Sequence, residues 1–570
     1  MKKLNKPQKL TLLLTLVYAG WIRLQDLGYS EYQGDEVLTL DFKSYLNRSA
    51  LLKYLLTRDK GPLQYLINLL NYSLFGNFEE ARIRLPYALA GILFVAAIFY
   101  TVRKITKNNW AGIIAAVFAA TNGLFVAFSR ITQYQAFVQL LLVLAVLVFA
   151  EKEKPALAGI IFGLAVLFHY DALTFLAFAC FFFAKKILET ENKKEAIGEA
   201  TAFFVPFLII ASSFYIPFFL QPSANSTSSY LQRRVLGGGL MPRTLYTKIL
   251  MKFYMPEEVL FALVILSCVA LWFILKPVTS NQLSVISNQY KGRVQRVGRY
   301  LLPVTCYLLP VTLILSFWLS TQWIKPRGST LMFYLLTLVT VGFLFFTKKT
   351  NLILSSLFSW FLASSCFYLF FNKTPRTHVY IIFIPMFVLS GYAITRTLKL
   401  FKFEKPYLKT ALTVASSFVG LYLLSLTLIY NHKIFVEKTP EFLWGNKKVL
   451  GREMIHTEKN LHSKVQGVFG FPQRRGWNEI SRLFEDSCLT GTYSTNEKDR
   501  IPEFYLGQKP VQGSGDNIII VESPVSWNYK NLDEIPTGYT PLKTYFIGDH
   551  PVTRIYGREE IYPDGKLLCE

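Results

Sequence analysis

The chain has 570 residues, 52% of them hydrophobic, and its formal net charge is +24. Its apolar residues come in uninterrupted runs that approach ~20 residues, which excludes an ordinary soluble protein and indicates membrane spans. No basic segment carries a recognisable nucleic-acid-binding module, so we expect no nucleic-acid partner and assign the excess Lys and Arg to loops between spans.

The first apolar run, residues 10–24, follows the basic start MKKLNKPQK and resembles a signal peptide. It lacks a small-residue cleavage site and further runs follow, so we expect a retained first span. Thirteen spans are predicted in total. They lie near residues 10–24, 86–102, 110–128, 131–150, 155–170, 172–184, 200–220, 257–275, 301–320, 329–346, 351–371, 378–395 and 407–430.

The segment 61–76, GPLQYLINLLNYSLFG, is shorter than a usual span and is interrupted by Asn68, Asn71 and Tyr72. We therefore expect a helix that lies in the membrane interface instead of crossing it. With a cytoplasmic N-terminus, this choice places most Lys and Arg clusters, including the basic loop 276–300, on the cytoplasmic side. The same parity places the C-terminus outside the cytoplasm, in a multi-pass protein of the plasma (inner) membrane.

Residues 431–570 are polar and contain short strand-like runs such as Asn517–Val521. They predict a small extracytoplasmic α/β domain, which follows a transmembrane domain of residues 1–430. Cys488 and Cys569 fall in this region and can pair if it lies outside the cytoplasm, with their separation left open. No CxxC or HExxH motif occurs, so no metal site is expected.

The first external loop, residues 25–85, is long and contains the acidic stretch GDEVLTLDF. Asp35 or Glu36 in this stretch could act as a general base toward an acceptor hydroxyl, a role that needs an anion within hydrogen-bond reach. The alternative is a solvated turn at Gly34 in which Asp35 merely caps a helix. The carboxylate pair alone does not separate these two interpretations.

Four segments in order extend this observation: GDE at 34–36, KGPLQYLINLLNYSLFG at 60–76, RIRLPYALAGILFVAAIFYTVRK at 82–104 and FSRITQYQAF at 128–137. In content and order they resemble motifs of the GT-C membrane glycosyltransferases of family 39, which include protein O-mannosyltransferases and the bacterial aminoarabinose transferase of lipid A. The resemblance covers residues 30–170 best. Gly61 replaces the first proline of the family's (H/K)PPL segment, and Gln133 stands where a second Arg is common.

The resemblance implies a GT-C helical membrane fold and a sugar donor carried on polyprenyl phosphate. It further implies an inverting, metal-independent transfer on the outer face, without a cofactor, to a glycan, lipid or protein acceptor. Asp35 is the implied base or acceptor-orienting carboxylate, and Glu36 supports it. Lys60 is the implied contact of the donor phosphate, where a cation stabilises the charge that grows on the leaving group.

Further polar residues are expected on the same side of the membrane. Arg130 is a second candidate contact of the donor phosphate, with interfacial anchoring as the alternative. Arg233 and Arg234 in an external loop, and Arg376 before a late span, are further candidate phosphate contacts. The residues expected to line the cavity are His169, Asp171 and His378. For His169 and Asp171, a structural role at the end of a helix is the alternative.

A transporter or flippase for lipid-linked saccharides is the main competing interpretation, because it too needs basic residues at the membrane interface. Such proteins often show internal repeats and ionisable or broken spans at the membrane midplane. This sequence shows no repeated halves, and its charges collect in loops. A structural membrane subunit whose C-terminal domain recruits partners is a third interpretation.

Overall fold

The chain is mostly helical and ends in a small sheet. The computed structural model describes residues 3–40, 48–58, 61–151, 154–222, 224–235, 251–289, 308–320, 326–347, 350–373, 375–400, 406–438, 440, 448–449, 452–453, 470–522 and 535–569. The helices of the first part are α1 Lys6–Leu24, α2 Gly34–Leu40, α3 Arg48–Leu56, α4 Pro62–Phe75, α5 Glu80–Thr106, α6 Asn109–Thr121, α7 Gly123–Ser129, α8 Gln135–Glu151, α9 Pro155–Phe168, α10 Leu176–Glu189 and α11 Lys193–Phe219. The later helices are α12 Ala224–Val235, α13 Glu257–Gln289, α14 Leu308–Ser320, α15 Pro326–Phe346, α16 Leu352–Cys366, α17 Tyr380–Leu400, α18 Pro406–Phe435, α19 Trp477–Glu485 and α20 Arg500–Leu506.

Each predicted apolar run coincides with a helix over at least part of its length. A helix satisfies its own backbone hydrogen bonds, which is what a chain in hydrocarbon requires. Among the described helices, six are long and apolar enough to cross a membrane, or seven when the bent pair α6–α7 is counted as one span. This confirms a multi-pass helical membrane protein, and the total of thirteen spans stays a prediction.

Phenylalanine rings fill much of the space between the helices of the first half of the chain. Phe162 of α9 stacks on Phe207 of α11 with ring centroids 4.4 Å apart, and Phe175 stacks on Phe178 at 5.0 Å. Offset stacking of this kind adds to the burial of the rings. The high Phe content of the sequence therefore serves contacts between helices.

The helix pair α6–α7 is bent by 64° at Asn122. The side-chain carbonyl of Asn122 accepts two of the first backbone amides of α7 and caps that helix. The last carbonyls of α6 find a donor in the fully buried Arg23 of α1, which bonds Ala119 O and Ala120 O at 3.4 and 3.2 Å. The bend leads into the segment 130–134, on which a polar site is built.

Helix α4 covers the segment that was expected to lie in the interface. Its polar residues Gln64 and Asn68 are fully buried against the protein, whereas Leu70 and Leu74 are 61% and 70% exposed. An outward apolar face and an inward polar face suit a helix that lies against lipid. The polar residues that interrupt this apolar run are therefore the ones that contact the rest of the protein.

The C-terminal region contains the strands β1 Lys448–Val449, β2 Arg452–Glu453, β3 Tyr493–Thr495, β4 Asn517–Val521, β5 Tyr539–Ile547 and β6 His550–Arg558. The larger sheet has the order β3-β4-β6-β5, with β3 parallel to β4 and the other neighbours antiparallel. Trp477 of α19 packs in its core with Ile519 and Ile555. Cys488 and Cys569 form a disulfide with their Cα atoms 4.8 Å apart. The predicted small C-terminal sheet is confirmed, and the domain boundary at residue 430 stays a prediction.

Candidate functional site

Glu36 is the most completely bonded carboxylate of the first loop. It is fully buried in the first turn of α2, and Arg84 of α5 grips it through two parallel bonds, Nε to Oε1 and Nη2 to Oε2, both 2.9 Å long. Oε2 also accepts the amide of Gln33 at 3.0 Å, and Oε1 accepts the amide of Thr132 at 2.9 Å. Glu36 is therefore an anchor that fixes the loop, because both of its oxygens are occupied.

Asp35 differs sharply from its neighbour. Its side chain is partly exposed and makes no hydrogen bond or ion pair with any residue that the structure describes. Asp35 is the second residue of α2 and not the residue before it, so it does not occupy the N-cap position that the capping interpretation requires. Glu36 fixes the same helical turn, so Asp35 is held in place with its oxygens unpaired among the residues that the structure describes.

Arg84 organises the whole first loop and was missed in the sequence. Besides Glu36, its Nη1 donates to Leu27 O at 3.2 Å and Ser30 O at 2.6 Å, and its Nη2 donates to Glu31 O at 3.0 Å. The signal was present: an arginine at the start of a long apolar run is costly unless it has a partner. Its partner lies 48 positions earlier in the chain, which no local pattern reveals.

The segment 130–134 connects the first loop to the rest of the polar site. The Thr132 amide bonds Glu36, and the Thr132 carbonyl accepts Gln64 Nε2 of α4 at 2.6 Å. Two residues further, the Tyr134 hydroxyl lies 3.2 Å from Asp171 Oδ2. This short segment therefore joins three parts of the chain that are far apart in sequence.

The presence of Gly61, where the resembling family has proline just before α4, has a steric explanation. A side-chain carbon at Gly61 would lie 1.9 Å from the carbonyl oxygen of Leu167 at the end of α9. The family's proline carries such a carbon, so the close approach of these two segments requires glycine here. The departure thus reflects tight packing of α4 against α9.

Asp171 is the centre of a buried cluster with His169 and His378. Its Oδ2 lies 2.7 Å from His378 Nδ1 and 3.3 Å from His169 Nδ1, and its Oδ1 accepts the Tyr368 hydroxyl at 3.1 Å. The cluster joins the turn after α9 to the turn before α17, over 207 residues of sequence.

A cavity of about 400 Å³ adjoins this cluster. Asp171 and His378 line it together with Tyr170, Leu173, Thr174, Ala177, Ala363, Ser364, Phe367, Tyr368 and Asn372. His169 does not belong to this lining. It lies behind, stacked on the Tyr134 ring with centroids 3.7 Å apart and planes 3° from parallel. The walls are mainly apolar, with the polar groups gathered at the histidine cluster, as in many small-molecule sites.

Arg376 stands at the start of the 3₁₀ turn Arg376–Val379 that also carries His378. It is partly buried and has no hydrogen-bond or ion-pair partner among the described residues. Its φ of +44° lies in the left-handed region, which is uncommon for a residue with a side chain and costs roughly 1–3 kcal/mol. A strained cation without a partner among the described residues, on the turn that also carries the cavity-lining His378, is suited to hold an anion.

The other predicted cations are placed differently. Arg130 is 6% exposed, and its guanidinium donates to Ile22 O at 2.8 Å and Asp26 O at 3.4 Å, a geometry that favours the anchoring alternative over a phosphate contact. Arg233 is exposed on α12 and bonds only the Ser229 carbonyl there. Lys60 and the side chain of Arg234 lie outside the described residues.

The C-terminal region contacts the first loop directly, close to Asp35. The buried Glu31 accepts the backbone amides of Arg475 at 2.7 Å and Trp477 at 2.5 Å. The Tyr505 hydroxyl bonds the Tyr32 amide at 2.7 Å and also reaches Glu80 at 2.9 Å. Burial raises the pKa of Glu31 to about 7, because the ionised carboxylate loses solvation that the two amides replace only in part.

The fold and the site define a multi-pass helical membrane protein. Buried carboxylates, histidines and arginines lie together in its first loop and in the turns at the ends of its helices. Residues 59–213 match the protein family described as dolichyl-phosphate-mannose-protein mannosyltransferase. Over this stretch the match confirms the resemblance to GT-C glycosyltransferases predicted from the sequence. The matched residues include Arg84, the segment 130–134 and Asp171, but neither Asp35 nor Arg376. No protein of curated function matches the chain in sequence.

Three solved structures show the extent of the structural likeness. The S. cerevisiae protein O-mannosyltransferase Pmt1-Pmt2 complex bound to the sugar donor is 20% identical over 38% of this chain and 34% of its own, with a TM-score of 0.32. ArnT from Cupriavidus metallidurans bound to undecaprenyl phosphate is 13% identical over 95% and 97%, with a TM-score of 0.41. The apo oligosaccharyltransferase of Archaeoglobus fulgidus is 12% identical over 88% and 64%, with a TM-score of 0.46.

The chain thus spans about a third of the yeast protein and just under two thirds of the archaeal one. None of the three likenesses reaches a TM-score of 0.5, so the family match over residues 59–213 is the comparison that informs the function.

Proposed function

We propose that this protein is a membrane glycosyltransferase that moves a sugar from a polyprenyl-phosphate donor to an acceptor hydroxyl on the extracytoplasmic face. The observation that carries the proposal is the pairing of a locked Glu36 with an available Asp35 in the first loop. The family match supports the donor class, since its description names a dolichyl-phosphate sugar as the donor of a transferase. The matched stretch also includes Arg84 and Thr132, two of the three residues that bond the Glu36 carboxylate.

The chemical step follows from these roles. The acceptor oxygen attacks the anomeric carbon as the bond from that carbon to the phosphate oxygen breaks, and the bond's electron pair leaves with the polyprenyl phosphate. Asp35 accepts the proton of the acceptor hydroxyl. Attack from the face opposite the leaving group inverts the anomeric centre. In this proposal a carboxylate base and cations at the phosphate suffice, so the step needs neither a cofactor nor a metal.

The leaving phosphate gains negative charge in the transition state and needs cations near the membrane surface. Arg376 is our preferred candidate for this role, because it is partly buried, lacks a partner among the described residues and stands on the same 3₁₀ turn as His378, which lines the cavity. Lys60, Arg233 and Arg234 remain proposed contacts of the same phosphate. A disulfide between Cys488 and Cys569 supports an oxidising, extracytoplasmic location of the C-terminal region.

The test is sugar transfer in proteoliposomes from radiolabelled polyprenyl-phosphate hexoses and pentoses, with wild type compared with Asp35→Asn. We expect label to move to an acceptor or to water in the wild type, and Asp35→Asn to lower the rate about 10²- to 10⁴-fold. Asp549→Asn, at an exposed turn of the C-terminal region, is the matched control and is expected to leave the rate unchanged.

Two results would contradict the proposal in different ways. If the donors cross the bilayer without cleavage of the sugar-phosphate bond, the protein is a transporter or flippase of lipid-linked saccharides. If cleavage continues at the wild-type rate in Asp35→Asn, the transferase class stands and another group is the base.

A further inference from the structure

We infer that His169, Asp171 and His378 form a binding site for a divalent transition-metal ion of the Zn²⁺ type. The three residues each present one ligand atom, and these atoms all lie within 4.8 Å of one another. The inference goes beyond the proposed transfer and does not depend on it, because the ligand atoms and their geometry are the whole basis. It revises the expectation that the chain holds no metal.

Two distances among the ligand atoms lie near those of a metal polyhedron. Tetrahedral ligands at 2.0–2.1 Å from a Zn²⁺ ion lie about 3.3 Å from one another. His169 Nδ1 lies 3.3 Å from Asp171 Oδ2, and His378 Nδ1 lies 2.7 Å from the same oxygen. To bind an ion, the His378 ring would move about 0.6 Å from Asp171, the difference between these two distances, and the two histidine nitrogens, which lie within 4.8 Å of one another, would take a similar spacing.

The protonation of His169 suits a metal ligand. His169 Nδ1 accepts the backbone amide of Asp171 at 3.1 Å, so this nitrogen carries a lone pair and no proton. Only an unprotonated imidazole nitrogen can bind a metal ion. Because the nitrogen has a single lone pair, a bound ion would replace this hydrogen bond with a coordinate bond.

The surroundings resemble the outer shell of a metal site. The Tyr368 hydroxyl donates to Asp171 Oδ1 at 3.1 Å, and the Tyr134 hydroxyl lies 3.2 Å from Oδ2 and 3.1 Å from His378 Nδ1. The Tyr134 ring stacks on His169 and holds the plane of that ring. Hydrogen bonds that orient ligating carboxylates, and packing that fixes imidazoles, are the contacts that tune affinity in known metal sites.

The ligand set decides the class of metal. Two imidazoles and one carboxylate suit Zn²⁺, Co²⁺ and other first-row transition metals, whereas Mg²⁺ and Ca²⁺ prefer shells made of oxygen alone. Three protein ligands leave a coordination position open. Asp171 and His378 line the cavity of about 400 Å³, so an oxygen donor bound in that cavity can complete the shell.

No local sequence motif marks this site, because its ligands are separated along the chain. The pair His169 and Asp171 lies in the turn after α9, and His378 lies in the turn before α17. A bound ion would cross-link the two halves of the helical bundle at this point. The same turn carries Arg376, so the ion would also fix the backbone from which that cation extends.

The experiment uses the full chain purified in detergent, stripped with a chelator and then titrated with Co²⁺ and Zn²⁺. Metal content by mass spectrometry and the visible absorption of bound Co²⁺ are the readouts, and we expect one ion per chain. Asp171→Asn and His378→Gln are expected to lose the Co²⁺ absorption. Tyr368→Phe keeps all three ligands and is expected to weaken binding about 10- to 100-fold. The matched control is His550→Gln, an exposed histidine of β6.

X-ray absorption at the zinc edge of the wild type tests the site without any variant, and we expect a shell that contains two imidazoles. The inference is overturned if the stripped wild type binds no Co²⁺, if Asp171→Asn binds it as tightly as wild type, or if an excess of Mg²⁺ displaces it. A zinc shell without imidazole would overturn it even where the ligand variants fail to fold.

Discussion

Two regions of this molecule bury a carboxylate at the ends of the helices, and they satisfy it in opposite ways. In the first loop, Glu36 is paired with the guanidinium of Arg84, a cation that keeps its charge at every accessible pH. At the second region, Asp171 is surrounded by imidazoles and phenols, whose protons can exchange or give way to a metal. The first arrangement is suited to fix a loop, and the second is suited to respond to what binds beside it.

Removing the arginine of the first region should have the largest effect. Arg84→Met leaves Glu36 buried without a counter-charge and is expected to lower the free energy of unfolding by ~3–5 kcal/mol. The change is measured by heating the protein in detergent and monitoring the loss of the folded protein peak on a sizing column. Arg84→Lys restores the charge without the two-pronged contact and should recover only part of the loss. Full recovery by lysine would show that charge alone matters and that the bidentate geometry does not.

Glu31 sharpens the comparison because it is a buried carboxylate held mainly by backbone amides. Burial raises its pKa to about 7, so the folded state keeps a proton that the unfolded state releases near the ordinary pKa of a glutamate, 4.5. The contribution of Glu31 to the free energy of unfolding is therefore fully present below pH 4.5. It is lost as the pH rises toward 7, by about 3 kcal/mol in total. Glu31→Gln should remove that slope between pH 5 and 7. The measurement is the midpoint of thermal unfolding at several pH values, and parallel curves for the two proteins would contradict it.

Tyr134→Phe tests the second region with a smaller change. It deletes the hydroxyl beside Asp171 Oδ2 and keeps the ring that stacks on His169. Loss of one hydrogen bond to a charged group should lower the unfolding free energy by ~1.5–3 kcal/mol. The midpoint of thermal unfolding gives this value. A loss of unfolding free energy as large as that of Arg84→Met would contradict the view that Asp171 depends less on a single partner than Glu36 does.

The smallest effect is expected at an exposed ion pair, which shares with Glu36 and Arg84 only the pairing of a carboxylate with a cation. Asp26 and Lys438 lie 2.7 Å apart, with side chains 45% and 32% exposed. The hydrogen bond from Lys438 lowers the pKa of Asp26, but water screens this pair. Asp26→Asn is expected to change the unfolding free energy by ~0.2–1 kcal/mol, with the loss reduced further by salt. A loss comparable to that of Arg84→Met would show that exposure does not set the strength of these pairs.

The sequence predicted the helices well because an apolar run of sufficient length has few alternatives in a membrane. Asn68 and Asn71, which argued against a span at residues 61–76, are buried polar side chains of α4, although the direction in which they face was not predicted. The strand at Asn517–Val521 was predicted from its β-branched run and lies in the sheet.

The contacts that build the site could not be predicted in the same way. The bond between Arg84 and Glu36 and the approach of His378 to Asp171 depend on how separate helices pack, and periodicity along one helix contains no information on that. Arg130 shows the reverse case. Its place before a span suggested a ligand contact, but the carbonyls of Ile22 and Asp26 at and after the end of α1 lie beside it and accept bonds from its Nη1 and Nη2. The docking of Glu31 on the C-terminal region depended on a similar long-range contact.

The bend at Asn122 has a consequence for where the first loop meets the helical bundle. Helix α7 has seven residues and a length of about 10 Å. Tilted by 64° from α6, it gains less than half of that length along the axis of α6. A straight continuation would carry Thr132 several ångströms further along that axis and break its bond to Glu36. The bend therefore sets the level along the bundle at which the first loop is anchored.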